Sequence, residues 1–327
     1  MPAINTIRTV LIAVSVFCGA LPARAQSYPS EPIKIIVSYS AGASAVDILA
    51  RTIGQVFSKS MGVPVIVENR PGAGGSIGAS MLAKAKPDGY TISVGYNAEY
   101  GSVLFFYKSV QYDPTKDFAP IGAAAEAPMA IAVNPSSGIG STGELLAYIR
   151  SNPGRLSYGT AGVGTMGHLA GEMLIQMGGI NFTHVPYKGT GGAIADVIGG
   201  QLPIVVGSVA SLAPNHESGK LKILSVVEGN RSKRLPDVPT VGESALPGYA
   251  FPATWIGLFA PAGVPPPIIR RLNTEMLTAL NDPTVRTALQ GAGLQVTGTT
   301  PEKLAIMVKE DIEIFRKIAT TAGIQPQ

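Results

Sequence analysis

The chain is poor in cysteine, histidine and charge. It contains a single cysteine, Cys18, three histidines, and only 14% charged residues. Cys18 lies in an N-terminal segment that is predicted below to be removed, so the mature chain would have no thiol. This excludes disulfides, thiol catalysis and cysteine-based metal sites. Beyond that segment no run of about 20 apolar residues occurs, so a transmembrane helix is not expected.

The N-terminus has the pattern of an export signal. Arg8 precedes an apolar stretch at residues 10–21, and Ala23-Arg24-Ala25 supplies a small-x-small cleavage site. Together they predict a signal peptide over residues 1–25, cleaved near Ala25. Its removal leaves 23 basic against 21 acidic residues. A nearly neutral chain argues against a nucleic-acid partner.

Short apolar runs alternate with amphipathic segments along the whole chain, which predicts an α/β fold with parallel βαβ units. The predicted strands cover residues 33–37, 63–68, 91–95, 130–134, 156–159, 182–186, 203–208 and 221–227. The predicted helices cover residues 46–60, 78–84, 142–151, 166–177, 191–199, 267–281, 283–291 and 301–322.

Two glycine-rich loops, at residues 38–47 and 158–168, each run from an apolar strand into a helix. The first turn of a helix has backbone N–H groups without intrahelical partners and the positive end of the helix dipole. Small residues let a ligand approach those amides closely. Second glycine turns follow at residues 69–76 and 186–192. This internal repeat predicts two similar lobes that hold a small anion between them.

The candidate ligand-binding residues are the loop residues and the polar or aromatic residues expected beside them. They are Tyr39, Ser40, Ala41, Gly42, Ala43, Ser44, Asp47, Asn97, Thr160, Ala161, Gly162, Gly164, Thr165, His168, Tyr187 and Ser208. For several of them the pattern allows two roles. Asp47 either caps its helix or contacts the ligand, and His168 either orders its loop or touches the ligand. Tyr39 and Tyr187 either form an aromatic wall or pack against their own lobe.

Other chemistries find little support in the sequence. Residues 162–167 match G-x-G-x-x-G, but the acidic residue of a dinucleotide site is missing from the next strand. His168 and Glu172 are four residues apart and lack a third metal ligand. We therefore expect no cofactor, no metal and no catalytic residue. A secreted hydrolase that uses Ser40 or Ser44 remains an alternative.

Five segments together point to a family. They are residues 67–75, 158–169, 184–189, 235–240 and 257–263. They include Asn69-Arg70-Pro71-Gly72 and Leu235-Pro236-Asp237-Val238-Pro239-Thr240. In this order, and over essentially the whole mature chain, they closely resemble the Bug-type solute-binding proteins of tripartite tricarboxylate transporters.

The resemblance implies a monomeric periplasmic receptor with a type II, Venus-flytrap periplasmic-binding-protein fold and no catalytic activity. Lobe 1 would take residues 27–125 and 251–327, and lobe 2 residues 126–250. A small carboxylate, either an aliphatic di- or tricarboxylate or an aromatic acid, would bind between loops 39–47 and 160–168. Membrane permease subunits would receive it. A sensor module for a membrane signalling partner would have the same fold and remains an alternative.

The chain also departs from the family pattern. Ala43 replaces the second glycine of the first loop, and one extra residue precedes Asp47. Pro203 and Gly207 stand where the family often has acidic residues. Without those carboxylates a ligand that carries an ammonium group is disfavoured. We therefore expect a purely acidic ligand.

Overall fold

The computed structural model describes residues 28–42 and 44–326. The predicted signal peptide therefore lies outside the described residues. Contacts divide the chain into a unit of Met1–Ser30 and a compact unit of Glu31–Gln327. All helices and strands described below belong to the second unit.

The first sheet has six strands. With strands numbered along the chain, they are β1 (Ile33–Val37), β2 (Val65–Asn69), β3 (Thr91–Tyr96), β4 (Phe118–Glu126), β10 (Trp255–Pro261) and β11 (Gln295–Val296). Their spatial order is β11-β4-β10-β3-β1-β2. β1 runs parallel to β2 and β3. β10 is antiparallel to β3 and β4, and β11 is antiparallel to β4.

The second sheet has five strands. They are β5 (Met129–Val133), β6 (Ser157–Thr160), β7 (Thr183–Pro186), β8 (Ile204–Ser208) and β9 (Lys222–Val226). Their spatial order is β7-β6-β8-β5-β9. β6 runs parallel to β7 and β8, whereas β5 is antiparallel to β8 and β9. Each sheet is the centre of one lobe of the fold.

Helices connect the strands and cover the sheets. They are α1 (Ala45–Met61), α2 (Ser76–Ala83), α3 (Asn97–Tyr100), α4 (Thr142–Ser151), α5 (Met166–Gly178), α6 (Thr190–Ile198), α7 (Val209–Glu217), α8 (Val241–Ser244), α9 (Pro266–Asn281), α10 (Pro283–Gly291) and α11 (Pro301–Thr321). α10 and α11 begin with proline directly after a capping residue, Asp282 and Thr300. Proline suits this position because its missing N–H would have no helical partner there.

The internal repeat of the sequence extends to the topology. In each sheet three strands are parallel, and the central one, β1 or β6, leads into a glycine loop and a helix. Next to this trio lies an antiparallel strand, β10 or β5, whose chain arrives from the other sheet. The predicted α/β, two-lobe periplasmic-binding-protein fold is confirmed.

Several elements were absent from the prediction, and two of them, β4 and α7, contain an internal proline. The segment that contains Pro120 is strand β4, and its pairing with β10 is irregular between Leu258 and Phe259, where Phe259 faces Pro120. The irregularity accommodates a residue that lacks a backbone N–H. Helix α7 contains Pro214 in its interior. It was not predicted from the sequence because proline usually breaks a helix.

The chain crosses between the sheets along two adjacent segments. Glu126 still pairs with Trp255 in the first sheet, whereas Met129 pairs with Ser208 in the second. The Ala127 amide donates to the Thr254 carbonyl over 2.7 Å, so the two crossings lie side by side. No helix in the described part of the chain has the length and hydrophobicity of a membrane span.

Candidate functional site

A cavity opens where loops from both sheets meet, and we call it the main cavity. It encloses about 630 Å³ of empty space, its mouth included. It is lined by Tyr39, Ser40, Ala41, Ser44, Tyr96, Met129, Ala161, Thr165, Met166, Gly167, Gly189, Thr190, Gly191, Val206 and Ser208. Seven of these residues were predicted from the sequence: Tyr39, Ser40, Ala41, Ser44, Ala161, Thr165 and Ser208. None of the lining residues carries a charged side chain.

Four helices begin at the wall of the main cavity. Ser44, Thr165, Gly189 and Ser208 line it, and they are the residues directly before α1, α5, α6 and α7. Each helix start contributes partial positive charge, equivalent to roughly half an elementary charge for a full helix. The cavity therefore attracts an anion without any lysine or arginine in its wall.

The four helix starts differ in their side-chain caps. The Ser44 and Ser208 side chains accept hydrogen bonds from the amides of Asp47 and Ser211, and so cap α1 and α7. No side chain caps α5 or α6. The Thr165 hydroxyl instead donates to the Gly162 carbonyl over 2.7 Å. The first turns of α5 and α6 thus offer amides to a ligand in the cavity.

Two tyrosines form one side of the main cavity. The rings of Tyr39 and Tyr96 meet edge to face, with centroids 5.2 Å apart. Burial raises the pKa of Tyr96 well above its ordinary value, although hydrogen bonds from the Ser208 side chain and from the amides of Ala45 and Val46 oppose this rise. Tyr96 was not predicted as a site residue, because it lies at the end of a strand with no glycine loop beside it.

Behind Tyr39 lies a buried carboxyl group, that of Glu99. The Tyr39 hydroxyl lies 3.3 Å from Glu99 Oε2 and 3.4 Å from the Gly74 carbonyl oxygen. Glu99 Oε1 is buried without a hydrogen-bond partner. Burial raises the pKa of Glu99 to about 8. Burial thus favours the uncharged form of this carboxyl near neutral pH, which limits the negative charge beside the main cavity.

Asp47 lies under the first loop and does not line the main cavity. Its carboxylate accepts hydrogen bonds from the Gly42 amide at 2.8 Å, from Asn69 at 2.8 Å, and from two nitrogens of Arg51 at 2.9 and 3.0 Å. Burial alone would raise its pKa, but the bonds from Arg51, Asn69 and Gly42 outweigh that effect and lower it. In this geometry Asp47 shapes the loop. Ala43 lies outside the described residues.

A second cavity shares Tyr39 and Ala161 with the main one. It encloses about 780 Å³, its mouth included, and lies between the two second glycine turns. Gly162 and Tyr187, both predicted site residues, line this second cavity and not the main one. The Tyr187 hydroxyl donates to Asp196 over 2.5 Å. Lys188, which is exposed, also lines it.

Three predicted residues of the second loop, Thr160, Gly164 and His168, make hydrogen bonds or ring contacts within the second lobe. The Gly164 amide donates to His168 Nδ1 over 3.1 Å, and the His168 ring stacks on His184 at 3.9 Å. The Thr160 hydroxyl lies 2.7 Å from His184 Nε2. Burial, with His168 next to it, lowers the pKa of His184 to about 3. These residues order the loop from below and line neither cavity.

His168 and Glu172 lie 3.5 Å apart. Nowhere in the described part of the chain do three potential metal-ligating side chains gather. Asn97 lines neither cavity. It is fully buried and donates to Asp311 over 2.9 Å, and Asp311 also accepts from the Trp255 indole.

Hydrogen bonds cross from the first lobe to the second beside the cavities. The Ser40 hydroxyl donates to the Lys188 carbonyl over 3.2 Å, and the Tyr107 hydroxyl to the Val163 carbonyl over 3.1 Å. The Ser102 hydroxyl donates to the Gly164 carbonyl. All three acceptors belong to loops of the second lobe. In this conformation the two lobes are therefore in contact beside the cavities.

Met129, Met166, Thr190 and Val206 line the main cavity and were not predicted. Met166 and Thr190 are the first residues of α5 and α6. The glycine loops that precede these helices could have pointed to them. Met129 and Val206 lie in buried strands, where the sequence gives no sign that one face borders a cavity.

A family model described as the tripartite tricarboxylate transporter family receptor matches residues 49–324. A protein encoded in the tcbD–tcbE intergenic region of Pseudomonas sp. strain P51 is 38% identical over 95% of this chain and 93% of its own. The periplasmic binding protein BugD superposes with a TM-score of 0.86 at 32% identity, covering 92% of this chain and all of its own.

Two further solved structures carry small acids. An R. palustris protein with adipate has a TM-score of 0.88 at 31% identity, and the match covers 92% of this chain and all of that one. The protein MatC of Rhodopseudomonas palustris with bound malate has a TM-score of 0.84 at 31% identity, covering 89% of this chain and all of its own.

Proposed function

The chain belongs to the tripartite tricarboxylate transporter receptor family, among receptors of the Bug type, and we propose that it binds a small carboxylate in its main cavity and delivers it to a membrane permease. The family is one of solute-binding receptors located in the periplasm. We further propose that residues 1–25 are the export signal, removed near Ala25. The division into lobe 1 (residues 27–125 and 251–327) and lobe 2 (residues 126–250) is part of the same proposal.

One observation carries the proposal: four helices begin at a cavity whose wall has no charged side chain. A carboxylate there can accept hydrogen bonds from backbone amides and interact with several helix dipoles at once. A cation would meet only partial positive charge. The acids bound by the two R. palustris neighbours, adipate and malate, support the same ligand class.

Ligand binding and closure are coupled in this proposal. The first lobe contributes Ser40, Ser44 and the two tyrosines to the cavity, and the second contributes the starts of α5, α6 and α7. A ligand that contacts both sets favours the closed arrangement by its differential affinity for that state. The two crossing segments are where a hinge motion would take place. The permease would then recognise the closed, loaded receptor.

The neighbourhood of the two loop serines favours a receptor over a hydrolase. The Ser40 hydroxyl donates to the Lys188 carbonyl, and the Ser44 hydroxyl caps α1. Among the described residues neither serine hydrogen-bonds to a histidine that could act as its general base, which is the arrangement a serine nucleophile needs.

A thermal-shift screen of the mature chain against mono-, di- and tricarboxylates tests the proposal. At a hundredfold excess over its Kd, a ligand adds about 2.7 kcal/mol to stability. For a chain of this size that corresponds to a rise of several degrees in Tm. A rise with one class of acid is the expected result. No rise with any acid would reject the carboxylate receptor.

A substitution at Gly191 locates the site. Gly191 lies in the first turn of α6, lines the main cavity, and has open space where a Cβ would stand. Gly191→Val should leave the fold intact, fill the cavity beside the amides and lower affinity at least tenfold. Gly291→Val, at the helical end of α10 and equally open, is the matched control and should bind like wild type. Equal affinities in both variants would place the ligand elsewhere.

A further inference from the structure

The polar side chains of the main cavity are largely committed to partners within the protein. The Ser40 hydroxyl donates to the Lys188 carbonyl, and the Thr165 hydroxyl donates to the Gly162 carbonyl. The Tyr39 hydroxyl lies within reach of Glu99 and the Gly74 carbonyl. The Ser208 hydroxyl lies 2.8 Å from that of Ser211. The donors left for a ligand are therefore the backbone amides at the starts of α5 and α6, together with the neutral hydroxyls of Ser44 and Thr190.

No residue that lines the main cavity has a positively or a negatively charged side chain. No cation is available to pair with a second carboxylate, and no carboxylate is available to pair with an ammonium group. The two nearest buried acids do not change this. Asp47 is held by four donors from Gly42, Asn69 and Arg51, and Glu99 lies behind Tyr39. A charged group that leaves water without a partner pays a large desolvation cost.

The remaining lining is apolar. Met129, Met166 and Val206 are at most 7% exposed and line the cavity together with the rings of Tyr39 and Tyr96. A wall of this kind favours a ligand body that needs no hydrogen bonds. The two methionines can adjust to bodies of different shape because their side chains are unbranched and flexible.

Resting on the proposed function, we infer that the main cavity takes a monocarboxylic acid with an apolar body, and discriminates against acids that carry a second carboxylate or an ammonium group. The carboxylate lies at the starts of α5 and α6, and the apolar body lies against Met129, Met166, Val206 and the tyrosine rings. Polar groups of the cavity thus contact the ligand only at its carboxylate end.

Among the residues that line the two cavities, the exposed Lys188 is the one with a charged side chain, and it lines the second cavity. Tyr39 and Ala161 line both cavities and so stand between them. A diacid would have to pass these residues to pair with Lys188. Adipate, which a structural neighbour carries, is therefore the sharpest competitor of a monoacid with the same carbon chain.

Calorimetric titration of the mature chain with matched acids tests the inference. Hexanoate and adipate share a six-carbon chain and differ by one carboxylate, and phenylacetate and phenylalanine differ by an ammonium group at the carbon next to the carboxylate and by one CH₂. We expect hexanoate to bind at least tenfold tighter than adipate, and phenylacetate at least tenfold tighter than phenylalanine. Affinity should also rise about fourfold for each CH₂ buried from butyrate to hexanoate. If adipate binds as tightly as hexanoate, or phenylalanine as tightly as phenylacetate, the inference is wrong. The proposed receptor function would not be contradicted by that result. Binding of none of these acids, or of any other carboxylate, would reject the proposed function itself.

A charge placed in the apolar wall gives a second test. Met166→Lys would supply the missing cation and should shift the hexanoate-to-adipate preference toward adipate at least tenfold. Met177→Lys is the matched control, since Met177 lies on the same helix and is 43% exposed. It should leave the preference unchanged. Because Met166 is buried, Met166→Gln provides a neutral variant that should weaken hexanoate binding. If Met166→Lys folds and keeps the wild-type preference, or if Met166→Gln folds and binds hexanoate like wild type, the apolar body does not lie against Met166 and the inference fails.

Discussion

At the residue scale, Asp47 holds the first glycine loop in place through its carboxylate. One oxygen accepts from the Gly42 amide and Arg51, and the other from Arg51 and Asn69. The same Asn69 donates to the Tyr39 carbonyl over 2.8 Å. These bonds fix both ends of the loop that presents Ser40 and Ser44 to the main cavity. Asp47 thus supports the site from underneath.

Asp47→Asn should therefore lower the stability of the fold more than it lowers the affinity for the ligand. An amide cannot accept from four donors, so we expect a loss of about 1–3 kcal/mol in the free energy of unfolding. The lowered pKa of Asp47 means that this carboxylate stabilises the fold above its unfolded-state pKa. The contribution is lost as the pH falls through the folded-state pKa. The gap between wild type and variant, measured by urea unfolding, should close on acidification.

The exposed Asp237 provides the control for this prediction, and Asp237→Asn should unfold like wild type. Should Asp47→Asn keep wild-type stability and lose ligand affinity instead, the carboxylate would contact the ligand.

Glu99 predicts a pH dependence of the opposite sign. Because its folded-state pKa is raised to about 8, the folded protein keeps a proton that the unfolded chain releases above pH of about 4.5. Stability from this group is complete below that pH and is lost as the pH rises through about 8. Glu99→Gln removes this loss, so the variant should gain stability relative to wild type between pH 5 and pH 8.

Thermal unfolding at both pH values measures the effect. Glu313→Gln, a change at a side chain that is 61% exposed, should give the same difference from wild type at both. A Glu99→Gln difference that does not grow with pH would mean that Glu99 is already ionised in the folded protein.

Single residues were only partly predictable from the sequence. The glycine loops revealed Ser44 and Thr165, because a strand followed by small residues and a helix has a recognisable pattern. Tyr96 and Val206 carry no such pattern: an apolar residue of a buried strand looks the same whether it faces a core or a cavity. Asn97 was predicted as a site residue, but it donates to Asp311 and lines neither cavity.

At the element scale, the starts of four helices form the proposed binding site. The carboxyl ends of β1, β6 and β8, and the turn after β7, deliver four helix starts to one cavity. In open α/β sheets this edge is the usual place for a ligand. The alternation of strands and helices predicted most of these elements. β4 and α7 were not predicted because each contains a proline that only tertiary structure accommodates. Pro120 lies in an irregular strand pair, and Pro214 lies inside a short helix.

The hydrogen bonds between the lobes predict that residues without ligand contact contribute to affinity. Ser102 and Tyr107 donate to the carbonyls of Gly164 and Val163 across the cleft. If these bonds form on closure, Ser102→Ala and Tyr107→Phe should each weaken ligand binding by about 0.5–1.5 kcal/mol. Calorimetric titration with the best acid of the screen measures this.

Tyr148→Phe, at an exposed tyrosine of α4, serves as the control and should leave binding unchanged. Unaltered affinity in both cross-lobe variants would show that these bonds persist in the unliganded protein.

At the scale of the whole molecule, the two sheets make a pair of lobes joined by adjacent crossing segments. Half-buried Glu228 lies at this junction: both of its oxygens are 3.0 Å from the Met129 amide, and one is 3.4 Å from the Thr254 hydroxyl. It thus connects both crossings, and Met129 extends from there into the cavity wall. A motion at the junction would move this wall directly.

The sequence predicted the two-lobe fold because the repeat of strand, glycine loop and helix is local and occurs twice. It could not predict which side chains meet across the cleft, since Ser40 and Lys188 are far apart in the chain and their contact depends on how the lobes face each other. The neutrality of the cavity wall likewise emerges only when loops from both halves are assembled. The carboxylate was already expected from the sequence, whereas the proposed preference for an apolar ligand body rests on tertiary structure.

A crystal structure of the mature chain with its tightest acid tests the central claim most directly. The account predicts the ligand in the main cavity, with carboxylate oxygens about 3 Å from backbone amides in the first turns of α5 and α6, and no lysine or arginine within that distance. A carboxylate paired with Lys188 in the second cavity, or bound outside both cavities, would contradict it.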